Sequence, residues 1–230
     1  MEKCVVYAGT RNVYDKMTPA IKSCLKNANA DKVYVLIEDD DFSIRLPEEC
    51  VVINVASWAD MFKGSPNFNC QWSYMILLRV IYSKIFPQLD RILSLDIDTI
   101  INKDISELWN IDMTGYYIAG CKEARKTDKY GYLYLNAGVM MYNLKEFREY
   151  GMDDRLLNEL NTVKYKYCEQ DAMSKLCKGH ALEIDSTYNR AIGVTMPSVN
   201  PKVFHFAGHK DWFDYPEIKR YADMRWREVL

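Results

Sequence analysis

Two aspartates, Asp96 and Asp98, stand one residue apart directly after a short, mostly aliphatic run, Arg91–Leu95. In an extended segment, side chains two positions apart point to the same side, roughly 7 Å from one another. Two like charges at the end of a buried strand are unfavourable unless a cation lies between them. A divalent metal ion that also holds phosphate oxygens would satisfy both carboxylates. The alternative is that Asp-x-Asp forms an ordinary surface turn.

A histidine late in the chain could complete such a site. His205 is one of three histidines and begins the segment His-Phe-Ala-Gly-His-Lys. One imidazole and two carboxylates favour Mn²⁺ over Mg²⁺, because Mn²⁺ accepts both kinds of ligand. Taken by itself, His205 is more typical of a hydrogen-bonded structural histidine. Gly208 would let backbone N–H groups approach a phosphate, and Lys210 would neutralise its charge unless that lysine is simply exposed to solvent.

Several other kinds of site are excluded. The sequence has no Gly-x-x-x-x-Gly-Lys-Ser/Thr, no Gly-x-Gly-x-x-Gly and no Gly-x-Ser-x-Gly, so a nucleotide would be held through a metal ion and scattered contacts. A net charge of −2 provides no general attraction to nucleic acid. The seven cysteines are odd in number and form no Cys-x-x-Cys pair, which indicates neither a disulfide framework nor a zinc ribbon.

Strand and helix signals alternate along the chain. Strands are predicted at 4–8, 32–37, 51–55, 91–95, 116–121, 136–142 and 203–206. Helices are predicted at 15–27, 71–86 and 169–177, and in two pieces divided near Gly151 at 144–161. This order predicts an α/β domain with a mostly parallel sheet and helices on its faces. Residues 122–134 are charged and tyrosine-rich, and we expect them to form a long functional loop. Without a linker or an internal repeat, residues 1–230 are predicted to be one domain.

The chain enters a strand almost at once, so no signal peptide is expected. No stretch approaches the roughly 18 to 20 apolar residues of a membrane span. Scattered cysteines in apolar runs are typical of a reducing compartment. A cytoplasmic protein is therefore predicted, with peripheral contact at the inner membrane face as a weaker expectation.

Four motifs follow one another in order: Asp-x-Asp at 96–98 after a strand, Asn-Ala-Gly-Val at 136–139, Glu-Gln-Asp at 169–171, and His-Phe-x-Gly at 205–208. Together they resemble glycosyltransferase family 8, which includes glycogenin and bacterial lipo-oligosaccharide galactosyltransferases. The resemblance runs from Val5 to Trp212 and implies a single-domain GT-A fold, a Rossmann-like mixed sheet with the nucleotide at the carboxyl ends of its strands. It divides the chain into a nucleotide-binding half (1–100), a donor-sugar and acceptor half (101–214) and a C-terminal helix (215–230).

The resemblance also implies roles for individual residues. Asp96, Asp98 and His205 would hold Mn²⁺, with Mg²⁺ as the alternative, at the diphosphate of a UDP-sugar. Contacts to the nucleotide and its phosphates are implied for Ala8, Thr10, Asn12, Tyr14, Arg79, Ile97, Gly208 and Lys210. Catalytic contacts to the sugar are implied for Asn136 and Gln170. Hydrogen bonds to donor or acceptor hydroxyls are expected of Glu123, Glu169 and Asp171, the alternative being helix caps or rim charges.

Two positions depart from the family pattern. Thr10 stands where the galactosyltransferases carry an aspartate, which bears on the selectivity for uracil. Lys210 follows Gly208 by two residues, and Asp211 replaces the proline of the family's usual Gly-x-x-Lys-Pro-Trp ending. The resemblance therefore implies the phosphate contact of Lys210 less directly than the metal ligands.

The implied activity is retaining, Mn²⁺-dependent transfer of a hexose, glucose or galactose, from a UDP-sugar to a glycan, lipid-linked or protein acceptor. An amide is a poor nucleophile, so a front-face substitution is expected near Gln170. One alternative is a self-glycosylating primer of the glycogenin kind, suggested by the tyrosines near 122–134, and another is a non-catalytic nucleotide-sugar-binding protein. The basic, aromatic segment 219–227 is either part of a helix that covers the sheet or the remnant of a membrane-binding tail.

Overall fold

Ten strands and seven α-helices alternate along residues 1–230 in the computed structural model, which describes the whole chain. The strands are β1 (Cys4–Gly9), β2 (Lys32–Ile37), β3 (Cys50–Asn54), β4 (Arg91–Leu95), β5 (Thr99–Ile101), β6 (Ile118–Lys122), β7 (Leu135–Asn143), β8 (Ala181–Glu183), β9 (Arg190–Ala191) and β10 (Val203–His205). The α-helices are α1 (Thr18–Asn27), α2 (Tyr82–Ile85), α3 (Ala124–Tyr130), α4 (Leu144–Glu149), α5 (Met152–Thr162), α6 (Cys168–Leu176) and α7 (Pro216–Asp223).

Seven strands form the central sheet in the order β3-β2-β1-β4-β7-β6-β8. Strands β1 to β4 are mutually parallel, β7 is antiparallel to β4 and β6, and β8 is parallel to β6. Successive residues of β1 contribute to two separate apolar cores, one on each face of the sheet. Because helices cover both faces, the central strands are apolar on both sides, as the sequence predicts. The expected α/β architecture is confirmed.

A second, three-stranded sheet has the order β5-β10-β9. Strand β5 begins directly after the Asp-x-Asp turn, and β10 pairs with it in antiparallel orientation, so that His205 lies opposite Thr99. Strand β9 pairs in parallel with the other edge of β10 and places Ala191 beside His205. This small sheet brings the late histidine to the end of β4.

Two predicted helices are shorter than expected. The helix predicted at 15–27 begins at Thr18, after a 3₁₀ helix at Arg11–Lys16, because Pro19 occupies the first turn, where proline is favoured. The helix predicted at 71–86 begins at Tyr74, where the Ser73 side chain accepts a hydrogen bond from the Met75 N–H (3.1 Å). It runs as a 3₁₀ helix to Ile81 and then as α2. The strand predicted at 116–121 begins two residues later and ends one residue later, at Ile118–Lys122.

The prediction of a loop at 122–134 is wrong, since α3 occupies most of it. The helix ends at Gly131, whose φ of +70° is the left-handed conformation that favours glycine. No residue of α3 is buried, so it has no apolar stripe from which its period could be recognised.

The C-terminal segment is helical in two pieces, α7 and a 3₁₀ turn at Trp226–Glu228, where one helix was predicted. Helix α7 buries Ile218 and Tyr221, and the Tyr221 hydroxyl donates to the Ile101 carbonyl (3.2 Å). Helix α7 thus packs on α1 and on the small sheet. None of the helices is both long and apolar enough to cross a membrane.

Candidate active site

The turn between β4 and β5 presents both aspartates at the carboxyl end of a buried strand. The Asp96 N–H donates to the Gly138 carbonyl on β7 (2.8 Å), and the Thr99 hydroxyl donates to the Asp96 carbonyl (2.6 Å). The Phe206 N–H donates to the Asp98 carbonyl (2.9 Å), which joins the turn to the end of β10. Backbone hydrogen bonds from two strands therefore hold the carboxylates in place.

His205 faces the two aspartates. Its Nε2 lies 3.5 Å from Asp96 Oδ2 and 3.4 Å from Asp98 Oδ1. One ligand atom from each of the three residues lies within 4.8 Å of the other two. Two carboxylates and one imidazole are a donor set that suits Mn²⁺. Burial alone would lower the pKa of His205, but the Asp98 and Asp96 carboxylates raise it to about 10, so the centre is arranged to hold positive charge.

A guanidinium links this centre to the start of helix α6. Arg79 is buried; its Nη1 donates to Glu169 Oε1 (2.8 Å), and its Nη2 contacts Asp96 Oδ1. Burial would raise the pKa of Asp96, but Arg79 and His205 hold it well below its usual range. Burial raises the pKa of Glu169 to about 7, and its buried Oε2 has no hydrogen-bond partner within the protein.

Amide and carboxylate groups form a second cluster beside the metal centre. The Gln170 Oε1 accepts from the Ala137 N–H (2.8 Å), and its Nε2 donates to Glu123 Oε1 (3.0 Å) and to the Tyr134 hydroxyl (3.1 Å). The Asn136 Nδ2 donates to the same Glu123 oxygen (2.9 Å). Both amide groups are therefore fixed in orientation by partners of defined polarity.

A cavity of about 730 Å³ joins the two clusters. Most of the residues that the sequence predicted for the site line it: Ala8, Thr10, Asn12, Arg79, Asp96, Ile97, Asp98, Glu123, Asn136, Glu169, Gln170, His205 and Gly208. The carboxyl ends of β1 and β4, the amino end of the antiparallel strand β7 and the start of α6 meet there. The cavity thus lies where open α/β sheets bind ligands.

Comparison with known proteins decides the family. Residues 4–215 match the sequence pattern of glycosyl transferase family 8. The chain belongs to this family.

Family 8 relatives extend along much of the chain. The glycosyltransferase GlyA of Streptococcus pneumoniae is 23% identical over 252 residues, which cover 99% of this chain and 36% of GlyA. The lipopolysaccharide 1,2-glucosyltransferase of Escherichia coli is 25% identical over 181 residues, covering 65% of this chain and 53% of that enzyme. The chain spans less than two thirds of the length of the curated relatives it matches.

Solved structures share the fold. The galactosyltransferase LgtC, crystallised with donor and acceptor sugar analogues, superposes with a TM-score of 0.75 at 20% identity, covering 99% of this chain and all of that one. The glycosyltransferase GlyE of Streptococcus pneumoniae superposes with a TM-score of 0.70 at 19% identity, covering 100% of this chain and 62% of that one. The GT-A fold expected for a family 8 chain is confirmed.

Three residues that the family pattern implies lie outside the cavity lining. The Tyr14 hydroxyl accepts from the Glu38 N–H (2.9 Å), and this tyrosine is buried under the loop after β2. Asp171 accepts from the Tyr134 hydroxyl (2.5 Å) and from the Tyr167 N–H (2.8 Å). It therefore contacts Gln170 only indirectly, through the Tyr134 hydroxyl. Lys210 is exposed beyond β10.

Aromatic and basic side chains that no motif indicated line one wall of the cavity. Trp72, 40% exposed, lies 5.9 Å from Tyr167 between ring centroids. Lys126 Nζ lies 3.4 Å from the Tyr167 ring centroid and 2.8 Å from Glu123 Oε2, and Arg125 lies beside it on α3. An aromatic content of 13% fits an aromatic core as well as a sugar-binding surface, and it does not say which rings line a cavity.

Proposed function

We propose that this family 8 chain is a retaining, Mn²⁺-dependent glycosyltransferase that moves a hexose, glucose or galactose, from a UDP-sugar to a glycan, lipid-linked or protein acceptor. The observation that carries the proposal is the convergence in one cavity of the Asp96, Asp98 and His205 ligand set with the Glu123–Gln170 amide and carboxylate cluster. The names of the relatives support it: GlyA is a glycosyltransferase, and the Escherichia coli relative is a glucosyltransferase.

The nucleoside is assigned to the end of the cavity formed by β1. Ala8, Thr10 and Asn12 line this end, and the Thr10 hydroxyl donates to Asn12 Oδ1 (2.5 Å). Ile97 and Gly208 line the cavity between this end and the metal ligands, where backbone groups can contact a diphosphate. The assignment follows the rule that parallel sheets bind nucleotides at the carboxyl ends of their strands.

The metal centre is assigned to the leaving group. When bound, a divalent ion supplies Lewis-acid stabilisation of a departing nucleoside diphosphate. Arg79 keeps Asp96 ionised and adds a buried positive charge to the same wall of the cavity. The arrangement therefore places positive charge where the diphosphate becomes more negative.

The chemistry of Gln170 favours a front-face substitution. Its amide oxygen already accepts a hydrogen bond from the Ala137 N–H, and this contact disfavours a role for that oxygen as the nucleophile that attacks the anomeric carbon. In the proposed step, the acceptor oxygen bonds to C1 on the face from which the phosphate oxygen departs, and that phosphate oxygen takes the hydroxyl proton. Entry and departure on one face retain the anomeric configuration. Glu169 also lines the cavity, and its carboxylate is assigned to a hydrogen bond with a sugar hydroxyl.

A donor screen tests this function. UDP-glucose and UDP-galactose are incubated with the protein and Mn²⁺, and released UDP is measured with and without EDTA. We expect UDP release that needs Mn²⁺ and falls at least about 100-fold in Asp98→Asn. Asp104→Asn is the matched control, because Asp104 is exposed and accepts only from the Ser106 N–H (2.7 Å). Undiminished turnover in EDTA would contradict the proposal.

Two further measurements separate the remaining alternatives. With an acceptor that supports transfer, the NMR coupling constant of the new glycosidic bond reports whether configuration is retained. Intact mass after incubation with donor alone tests self-glycosylation, which would add hexose units to the chain. Tyr134 is fully buried and hydrogen-bonded to Asp171, so Tyr130 and Tyr132 are the tyrosines of that segment that a donor could reach.

A further inference from the structure

A buried asparagine outside every motif touches the metal centre. Asn189 is fully buried immediately before β9, and its Oδ1 lies 2.9 Å from His205 Nδ1. Its Nδ2 donates to Asn136 Oδ1 (2.8 Å), and its backbone carbonyl accepts from the Thr195 hydroxyl (2.5 Å). The two ends of an amide have nearly the same shape, so the partners decide which end faces the histidine.

The donor and the acceptor of each of these hydrogen bonds can be assigned in turn, starting from Glu123. The Glu123 carboxylate only accepts, so Asn136 must present its Nδ2 to it (2.9 Å). The Asn136 Oδ1 then faces the other way, where it also accepts from the Gly138 N–H (3.1 Å). Asn189 must therefore present its Nδ2 to Asn136 and its Oδ1 to the histidine.

The last contact fixes the role of each imidazole nitrogen. Because Asn189 Oδ1 only accepts, His205 Nδ1 must carry a proton and donate it. Nε2, the nitrogen that faces Asp96 and Asp98, is then the one that gives up its proton to bind a metal ion. A histidine that binds a metal ion generally donates its other ring N–H to such a hydrogen-bond acceptor, which fixes the orientation of the ring.

We propose that Asn189 is a positioning residue of the metal centre. The relay Glu123–Asn136–Asn189 holds His205 in its Nδ1–H form and reserves Nε2 for a divalent ion. The inference rests on the proposed function in that it takes the three residues as metal ligands. It adds that groups assigned to the sugar end of the cavity also set the affinity for the metal.

Metal binding without any sugar tests the role of Asn189. The dissociation constant for Mn²⁺ is measured by electron paramagnetic resonance of the free ion. We expect Asn189→Leu to weaken binding about 10- to 100-fold, the range typical of such supporting residues. Asn67→Leu is the matched control, because Asn67 is also buried but donates to the Leu160 and Val163 carbonyls (2.7 Å each). Asn189→Leu binding within twofold of wild type would overturn the proposal.

The relay is tested one step farther away. Asn136→Leu removes the acceptor of Asn189 Nδ2 without touching His205, so the Asn189 amide loses the contact that orients it. We expect weaker Mn²⁺ binding in this variant also, with no donor or acceptor sugar present. Unchanged affinity would show that Asn189 acts alone and that the relay is wrong.

An NMR measurement on the metal-free protein tests the role of Asn189 independently of the proposed glycosyltransferase function. Imidazole ¹H–¹⁵N correlation spectra are simple here because the chain has three histidines, and His205→Gln identifies the signal. We expect a His205 Nδ1–H protected from exchange in wild type and in Asn189→Asp, whose carboxylate still accepts it, but not in Asn189→Leu. Protection that persists in Asn189→Leu would overturn the inference. Failure of wild type to bind Mn²⁺ would instead count against the proposed function.

Discussion

His205 packs its imidazole against the backbone of Gly138, where a Cβ atom would lie 2.1 Å from Cε1 of the ring. No real pair of atoms tolerates that distance, so any side chain at position 138 would displace the histidine. The ring has little freedom to move, because Asn189 holds its other edge. The glycine of the Asn-Ala-Gly-Val motif is therefore part of the metal centre although it provides no ligand.

Alanine at this glycine should impair the centre. Gly138→Ala is expected to weaken Mn²⁺ binding and UDP release at least about tenfold, because the ligand histidine must shift. Gly120→Ala, on the adjacent strand β6, is the control, since its nearest contact would be an ordinary 3.4 Å. The comparison uses Mn²⁺ affinity and thermal melting of both variants. Equal effects in the two variants would mean that the close approach to His205 has no importance.

The raised pKa of Glu169 makes the stability of the metal-free protein depend on pH. Burial raises this pKa from 4.5 to about 7, so the folded state binds the proton more tightly than the unfolded state. The stabilisation is complete below pH 4.5 and is lost as the pH rises through about 7. It amounts to no more than about 3.5 kcal/mol, at about 1.4 kcal/mol per pKa unit.

Urea unfolding at a series of pH values checks this dependence. The free energy of unfolding should fall between about pH 5 and about pH 8 in wild type, and the fall should be smaller in Glu169→Gln, which has no proton to lose. Glu149→Gln, at an exposed glutamate, should follow wild type. Parallel curves for wild type and Glu169→Gln would show that the buried carboxyl does not titrate in this range.

At the scale of elements, α3 forms one wall of the cavity beside Glu123 and Gln170. It follows directly after Glu123 and carries Arg125 and Lys126 into the cavity lining. Its N-terminal residues are oriented by the ion pair of Lys126 with Glu123, and its C-terminus by the turn at Gly131. The stability of a short exposed helix of this kind depends on its cap, because it has no apolar face that packs against the core.

Removing that cap should affect both stability and transfer. Gly131→Ala places a side chain at φ +70°, which costs about 1 kcal/mol of folding free energy, and it should raise the KM for the donor sugar several-fold by loosening α3. Gly115→Ala, at φ +76° and likewise with open space around it, should show a similar loss of stability with unchanged KM. Denaturant unfolding and donor kinetics on both variants distinguish the effect of backbone strain at a positive φ from the effect of the location of Gly131 at the end of α3. A changed KM in both would mean that the wall has no special role.

At the scale of the whole molecule, the two sheets bring together groups from distant parts of the chain. The central sheet supplies Asp96, directly after β4, and Asn136 on β7, and the small sheet supplies His205 on β10. A ligand that bridges both sheets binds the folded state and has no comparable site in the unfolded chain. Such a ligand must stabilise the entire fold.

Metal binding should therefore raise the melting temperature. At about 100 times its dissociation constant, Mn²⁺ is expected to add about 2.7 kcal/mol to the free energy of unfolding. For a chain of this size, that corresponds to roughly 2–4 °C for each kcal/mol. The shift should disappear in EDTA and in Asp98→Asn. An equal shift in Asp98→Asn would place the stabilising ion elsewhere.

Much of the fold and of the metal centre can be predicted from local sequence. Buried strands produce unbroken aliphatic runs, and the interruption of one such run by Asp-x-Asp marks the end of β4 without reference to any other part of the chain. The family motifs then add His205, Asn136 and Gln170, because each lies in a short segment of fixed spacing. The division into nucleotide and sugar halves stays a prediction.

The remaining features depend on contacts between segments far apart in sequence. Nothing local distinguishes Asn189 from other asparagines, since its role arises from the pairing of β9 with β10. The helix α3 lacks an apolar period, and Trp72 and Tyr167 meet only because two separate segments converge on one wall. The Asp-x-Asp pair could be recognised as a candidate from its own neighbours. The groups that orient its histidine partner are set by the packing of the two sheets. Their hydrogen bonds join residues that are far apart in sequence, so no local pattern along the chain indicates which group donates and which accepts.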